Sequence, residues 1–420
     1  MLFVNRDETA QDPRYNYEMS TSHEPGSLST RILDIEVSAT LAVDARQREL
    51  RAQGLPIISL GAGEPDFPTP AHVVEAAAQA TRDIHNHKYS NSTGLGELHE
   101  AIAAKVEADA GISIDPSTII VTNGAKQAVF EAWATLINPG DNVLLPSPYW
   151  VTYPADIQFF GGNVTRVFAG PEQSFKVTVE QLEAARTEKT KALLLCSPTN
   201  PTGAVYNREE IRAIGAWAKD HGIWLVVDEI YEHLTYDGAK TAYPLAEMPE
   251  LLNHTLVIGG VSKSFAMTGW RVGWIYGAPK AIARMKALHS HLTGNVNNVA
   301  QRAVIAALTG GRECVEYMRE GFARRRRIIV DGLREVRGFN VQDPEGAFYV
   351  FADVRDLLGS TISGKVIGTT TDLATLLLEE ANVACVPGEA FGTPGFLRFS
   401  YALSDEDLKE ALRRIKALLG

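Results

Sequence analysis

The sequence predicts an α/β protein whose parallel or mixed sheet is covered by helices on both faces. Three observations carry this expectation. Short apolar runs alternate with amphipathic helical segments from about residue 71 to 260. The runs are nearly continuous in Val, Ile and Leu, as strands buried on both faces are. Small and polar residues of chemical interest follow those runs directly, and the carboxyl ends of the strands are where such sheets bind ligands.

Taken in order, the expected strands are 118–122, 142–145, 191–196, 223–227 and 255–258. Helical patterns lie between them at 126–137, 152–160 and 208–221, and a long helical region spans 278–310. The rest of the chain opens on a helix carrying Arg324-Arg-Arg-Arg327 and continues through the apolar run 347–351. Residues 361–371, with Gly364, Gly368 and four threonines, read as a surface loop. An alternating run at 396–400 precedes an amphipathic helix over 404–418 capped by Ser404. The expected organisation is a flexible extension at 1–27, a segment at 28–70 that joins the smaller domain, a large domain at 71–310 and a small α/β domain at 311–420. The extension is polar and lacks the apolar core of a secretory signal; its first 18 residues are given no function.

With 420 residues and 45% hydrophobic side chains, the chain can bury a substantial core in two domains. A net charge of −11 disfavours nucleic acid or an anionic membrane as partner. No apolar stretch approaches the roughly 20 residues of a membrane span. Cys196, Cys314 and Cys385 share no metal-ligand spacing, and an odd number cannot pair fully within one chain. No metal is therefore expected, and a reducing, cytoplasmic compartment is. The four consecutive arginines point around a helix and read as a solvated or interface face.

The most informative chemistry lies in Gly260-Val-Ser-Lys-Ser-Phe-Ala-Met-Thr-Gly-Trp-Arg-Val-Gly273, just past the run 255–258. Burial of Lys263 there would lower its pKa and yield an amine able to form a Schiff base with a carbonyl. Arg271 is a fixed cation suited to phosphate. Asn123-Gly-Ala-Lys-Gln127 opens a helix with small residues, so its amides can approach an anion; a plain helix start is the alternative. Ser197-Pro-Thr-Asn-Pro-Thr-Gly203 fixes a turn that can present Asn200, or is an ordinary proline-rich turn. Asp228, in Val227-Asp-Glu-Ile-Tyr231, is a strand-end carboxylate in need of a cation, while Glu229 can be structural. Trp150 can lie on a ring or serve the core. Arg398, inside Phe396-Leu-Arg-Phe-Ser400, has no acidic neighbour in sequence and suggests a carboxylate ligand over an internal salt bridge.

Together these motifs resemble the fold-type I pyridoxal-phosphate enzymes, specifically class I aminotransferases of the aspartate aminotransferase family, from about Thr30 to the C-terminus. Gly61-Ala-Gly-Glu-Pro-Asp-Phe67 and Asp228-Glu-Ile-Tyr-Glu-His233 place the resemblance in a bacterial subgroup. It implies a mostly parallel seven-stranded sheet flanked by helices, a smaller α/β domain, and a homodimer with active sites shared across the interface. It also implies pyridoxal 5'-phosphate as cofactor, with an amino acid and a 2-oxo acid as substrates in a ping-pong cycle. Lys263 would carry the cofactor and move the substrate proton, and Asp228 would pair with the ring nitrogen. Tyr231 and Asn200 would bond the phenolate oxygen, and Trp150 would stack on the ring. Gly124, Ala125, Lys126, Arg271 and a second subunit's Tyr89 would surround the phosphate. Arg398, Asn200 and Gly63 would hold the substrate α-carboxylate.

The chain departs from the family pattern in places. A serine often found three residues before the lysine is Gly260 here, with Ser262 as a possible substitute. Thr40 and Lys126 match positions that meet a distal carboxylate in relatives, but Glu36 stands where some members carry a base. The segment 289–298 also differs, so His291 is a candidate reader of the side chain, with a surface or interface histidine the commoner reading. These departures suggest a donor preference shifted from plain aspartate. An eliminating β-lyase on the same fold is the alternative activity. A DNA-binding regulator is excluded because the residues before the fold are too few and too polar for a helix-turn-helix module. A nicotinamide dehydrogenase is excluded because Asp66 takes the place of the third fingerprint glycine.

Overall fold

The computed structural model describes residues 28–33, 35 and 37–420, with the backbone alone of Ala39. The expected strands appear as Ile119–Thr122, Asn142–Ser147, Thr190–Cys196, Trp224–Asp228 and Thr255–Gly260. Alternate residues of each run feed the two faces of the sheet. Ile119, Val121, Leu193, Leu195, Leu225 and Val227 pack in one core. Ile120, Leu194, Val226, Leu256 and Ile258 pack in another on the opposite face. Each face is closed by a helix: Arg208–Asp220, entered through an Asn207/Glu210 capping box, covers the first through Ile211, Ile214 and Trp217. Ala125–Leu136 covers the second through Val129, Ala132 and Trp133.

The sheet has seven strands. Across it the order is Ile119–Thr122, Gly273–Gly277, Thr255–Gly260, Trp224–Asp228, Thr190–Cys196, Asn142–Ser147 and Asn163–Phe168. Six strands point the same way, and Gly273–Gly277 lies antiparallel to both of its neighbours. Two strands were not anticipated. Asn163–Phe168 is a partly exposed edge with one buried residue, so its apolar signal is weak. Gly273–Gly277 is short and glycine-bounded, yet buried throughout.

A third core gathers Tyr349–Asp353, Phe396–Ser400 and the helices Glu313–Arg334, Thr370–Ala381 and Asp405–Leu419. Ile58–Ser59 pairs in parallel with Val383–Ala384, and Ile58 and Leu60 enter this core. Ser404 caps the last helix by accepting the Asp407 amide at 3.1 Å. Three expectations need correction. The region 278–310 is two helices, Pro279–Leu292 and Asn298–Thr309, separated by a turn with Gly294 at φ +70°. The loop 361–371 contains a hairpin, Thr361–Ile362 with Lys365–Val366, turned by Ser363 and Gly364 at positive φ, and the next helix already begins at Thr370. The arginine run is a solvated face only in part: Arg324 and Arg327 are exposed, but Arg325 and Arg326 are buried. Arg325 forks onto Asp66 at 2.7 and 2.9 Å, and Arg326 reaches Asp237 at 2.6 Å. At 100° per residue, four consecutive side chains must include inward positions. Asp66, distant in sequence, makes those positions tolerable.

Candidate active site

The carboxyl ends of the strands bring the candidate residues together. Asp228 ends its strand, Lys263 lies three residues beyond Thr255–Gly260, and Asn200 lies four beyond Thr190–Cys196. They line a cavity of about 270 Å³ with Tyr231, Trp150, Ala125, Lys126, Arg271, Gly63 and Thr40. A larger apolar groove of about 420 Å³ lies at the other end of the strands, between Ile112–Ile114 and Ile282, and holds none of these groups.

Asp228 is 4% exposed. Its Oδ2 accepts the Tyr153 hydroxyl at 2.8 Å and its Oδ1 the Ile230 amide at 3.1 Å. Burial raises its carboxyl pKa, while these two bonds and the Lys263 charge oppose the rise. Among the described residues no cation forms an ion pair with it, so a buried carboxylate faces the cavity unmatched. Lys263 Nζ donates to the Gly63 carbonyl at 2.6 Å. Burial lowers its pKa to about 8; Arg271 and Arg398 push the same way, and Glu64 and Asp228 oppose.

Gly124 and Arg271 form an anion cradle. Gly124 starts the helix Ala125–Leu136 at φ +78° with no side-chain cap, leaving its first amides unclaimed. A Cβ at Gly124 would collide with the Arg271 guanidinium, so the glycine is what allows the cation so close. Arg271, itself at φ +56°, donates to the carbonyls of Thr268 and Asn123 and has no acidic partner among the described residues. Gly260 is closely packed: a Cβ there would meet Ile230 Cδ1 at 2.9 Å and displace it. Ser262 lines the cavity instead.

Arg398 is 2% exposed and forms no ion pair among the described residues. Its Nη1 donates to Asn200 Oδ1 at 3.0 Å and its Nη2 to the Gly61 carbonyl at 2.8 Å, while Nε has no partner. The guanidinium lies 4.5 Å above the Tyr349 ring and 4.9 Å above Phe391. A desolvated cation with an idle donor is suited to an incoming carboxylate. The Tyr231 hydroxyl pairs with that of Tyr349 at 2.8 Å, and burial raises the pKa of both phenols.

Trp150 stands edge-on to Tyr153, with the Lys126 ammonium 5.0 Å over its ring. Thr40 bonds Ser38 at 2.9 Å at the cavity wall. Tyr89, 96% exposed, stands outside this protomer's cavity. His291 is also exposed and away from it. Glu36 lies outside the described residues. In the departing segment the buried histidine is His289, bonded to Glu131 at 2.8 Å and to the Ser92 carbonyl at 2.9 Å. Tyr153 and Tyr349 were missed as site residues. Tyr153 stands three residues after Trp150, but its bond to Asp228 spans 75 positions and has no local signal.

The residues present suit pyridoxal phosphate: an amine of lowered pKa, an unmatched buried carboxylate, an uncapped helix start beside a free arginine, and an idle guanidinium donor. The family description "Aminotransferase class I and II" matches residues 56–415. An aspartate aminotransferase of Streptomyces avermitilis is 53% identical over 393 residues, 94% of this chain and 96% of that protein. The aspartate aminotransferase structure from Rhizobium meliloti superposes with a TM-score of 0.90 at 41% identity, covering 94% of this chain and 98% of that one. The Thermus thermophilus aspartate aminotransferase with maleate gives 0.88 at 42% identity, covering 94% and 100%.

Proposed function

The chain belongs to the class I and II aminotransferases, and from that premise we propose a dicarboxylic amino acid, L-aspartate first, as its donor and a 2-oxo acid as its acceptor. It is a pyridoxal-phosphate-dependent aminotransferase of fold type I. The observation that carries the substrate reading is Arg398, a buried cation with an unused donor, bonded to Asn200 and lying over Tyr349, both of which line the cavity holding Lys263.

Pyridoxal phosphate, when bound, supplies an aldehyde for the amino group and a ring that withdraws electrons from the substrate Cα. Lys263 would hold it covalently and, once freed by substrate, move the proton at Cα; its lowered pKa suits it to that work. Asp228 would keep the ring nitrogen protonated, with Tyr153 fixing its carboxylate. Gly124, Ala125, Lys126 and Arg271 would hold the phosphate, joined by Tyr89 of a second subunit. Tyr231 would donate to the phenolate oxygen. Asn200, whose Oδ1 is taken by Arg398, keeps its amide nitrogen for the same task. Trp150 would cover the ring. Arg398, with Asn200 and Gly63, would clamp the α-carboxylate and set the Cα–H direction. Lys126 and Thr40 would receive the distal carboxylate.

Aspartate is supported by the names of the two relatives above and by the maleate, a dicarboxylate, named with the Thermus structure. The relatives do not favour elimination. We also read the protein as a cytoplasmic homodimer with residues 28–70 and 311–420 forming the smaller domain. The pairing of Ile58–Ser59 with Val383–Ala384 supports that division. The unpaired thiols of Cys196, Cys314 and Cys385 support a reducing compartment. Among the described residues no helix is long and apolar enough to cross a membrane.

The test is to mix holoenzyme with single amino acids, without acceptor, and follow the cofactor absorbance. Conversion to the amine form by aspartate and glutamate is expected. Conversion by another amino acid alone would move the specificity to the 289–298 segment. Release of ammonia and pyruvate would overturn transamination.

A further inference from the structure

Asp156 lies on the helix Thr152–Phe159, one turn beyond Thr152 and Tyr153, both of which line the cavity. It therefore shares their face of the helix. Its Oδ2 is buried and has no hydrogen-bond partner among the described residues. A buried carboxylate oxygen without a partner is costly and calls for an explanation. The cation that acts on it is Lys126, at the start of the neighbouring helix Ala125–Leu136. Other charged groups near this face are engaged elsewhere. Arg166, on the adjacent strand Asn163–Phe168, lies over the Tyr149 ring; Arg31 lies over Phe159; Glu131 is bonded to His289. On its own helix, Tyr153 is committed to Asp228. Lys126 in turn feels Asp156 and Arg271.

We propose that Asp156 is a positioning residue of the substrate pocket, competing with a donor's distal carboxylate for the Lys126 ammonium, so that a dicarboxylate binds together with a proton taken up by Asp156. The proposal rests on the reading that Lys126 meets the distal carboxylate. Two carboxylates beside one ammonium cannot both stay ionised at low cost, and the buried one takes the proton. Burial, opposed by Lys126, already raises the Asp156 carboxyl to about 7. Below that pH Asp156 is neutral before and after binding, and nothing is taken up. Above it, a dicarboxylate must bring a proton, so its affinity falls by up to about tenfold per pH unit. A monocarboxylate leaves Lys126 to Asp156 and escapes this penalty.

Holoenzyme would be titrated calorimetrically with succinate and with butyrate at about pH 8, in two buffers of different protonation enthalpy. The cofactor absorbance, read in parallel, subtracts any proton taken up there. Succinate should take up on the order of one proton more than butyrate. Asp156→Asn should abolish that difference and tighten succinate about tenfold, with butyrate unchanged. Equal proton counts for the two ligands in the unaltered enzyme would overturn the proposal, whether or not the variant folds. Failure of succinate to bind at any pH would overturn the proposal together with the distal-carboxylate reading. Binding without uptake sinks the proposal alone.

Discussion

At Asp228 a carboxylate sits 4% exposed, held by a phenol and an amide. A cation placed opposite it would complete a buried pair, and breaking such a pair costs about 3–5 kcal/mol. Asp228→Ala should therefore lower kcat by about two to four orders of magnitude, measured at equal cofactor content; near-normal turnover would remove it from the mechanism. Lys263 gives a prediction in pH. Its amine is nucleophilic only without its proton, and its pKa is lowered to about 8. Covalent capture of pyridoxal phosphate by the apoprotein should quicken as pH rises through about 8, followed by stopped-flow absorbance. A rate unchanged across that window would contradict the assigned environment. Arg398 illustrates how a residue that looks misplaced in a strand becomes intelligible: the rings of Tyr349 and Phe391 carry its cation, and Asn200 and the Gly61 carbonyl take two of its donors.

At the scale of elements, the helix Ala125–Leu136 performs two tasks. Its buried face closes the sheet, and its uncapped start offers amides to an anion. The second depends on Gly124, whose φ of +78° with extended ψ costs a residue with a Cβ about 1–3 kcal/mol, and whose missing side chain makes room for Arg271. Gly124→Ala should raise the dissociation constant for pyridoxal phosphate about tenfold, by equilibrium dialysis, while the far-ultraviolet spectrum stays unchanged. Retained affinity would show that the cradle tolerates a displaced arginine. The helix Glu313–Arg334 shows the complementary case, in which charged residues are structural. Arg325 holds Asp66 and Asp405, which ties this helix to the segment before residue 70 and to the last helix.

For the whole molecule, Tyr89 decides the interpretation. A phenol 96% exposed on its own protomer contributes to a phosphate site only if another subunit brings it there. Hybrid dimers of Tyr89→Phe and Lys263→Ala chains should then contain one site with both side chains intact. Such hybrids, purified by two tags, should regain about half the activity of the unaltered dimer per mole of dimer (a statistical expectation for two independent sites). Hybrids no more active than the Tyr89→Phe parent would place Tyr89 outside the site, and sedimentation as a monomer would remove the shared-site arrangement altogether.

The sequence by itself determined the strands buried on both faces, the helices between them and the residues at their carboxyl ends, because these signals are local. Near-continuous apolar runs, the capping residue Ser404 and glycine at a helix start act within a few positions of the chain. The order of Lys263, Asp228, Asn200 and Arg398 likewise sufficed for the family resemblance that names a chemistry; the first three stand at or just past strand ends, where ligands gather, and Arg398 lies inside a strand. Only the tertiary structure decided what meets across long separations. The Tyr153–Asp228 bond, the Tyr231–Tyr349 pair and the Arg325–Asp66 fork join residues 75, 118 and 259 positions apart. The edge strand Asn163–Phe168 and the short antiparallel Gly273–Gly277 gain stability from neighbours already in the sheet. Their own residues carry little pattern, so a strand's existence there is a property of the assembled sheet and could not be read before it formed.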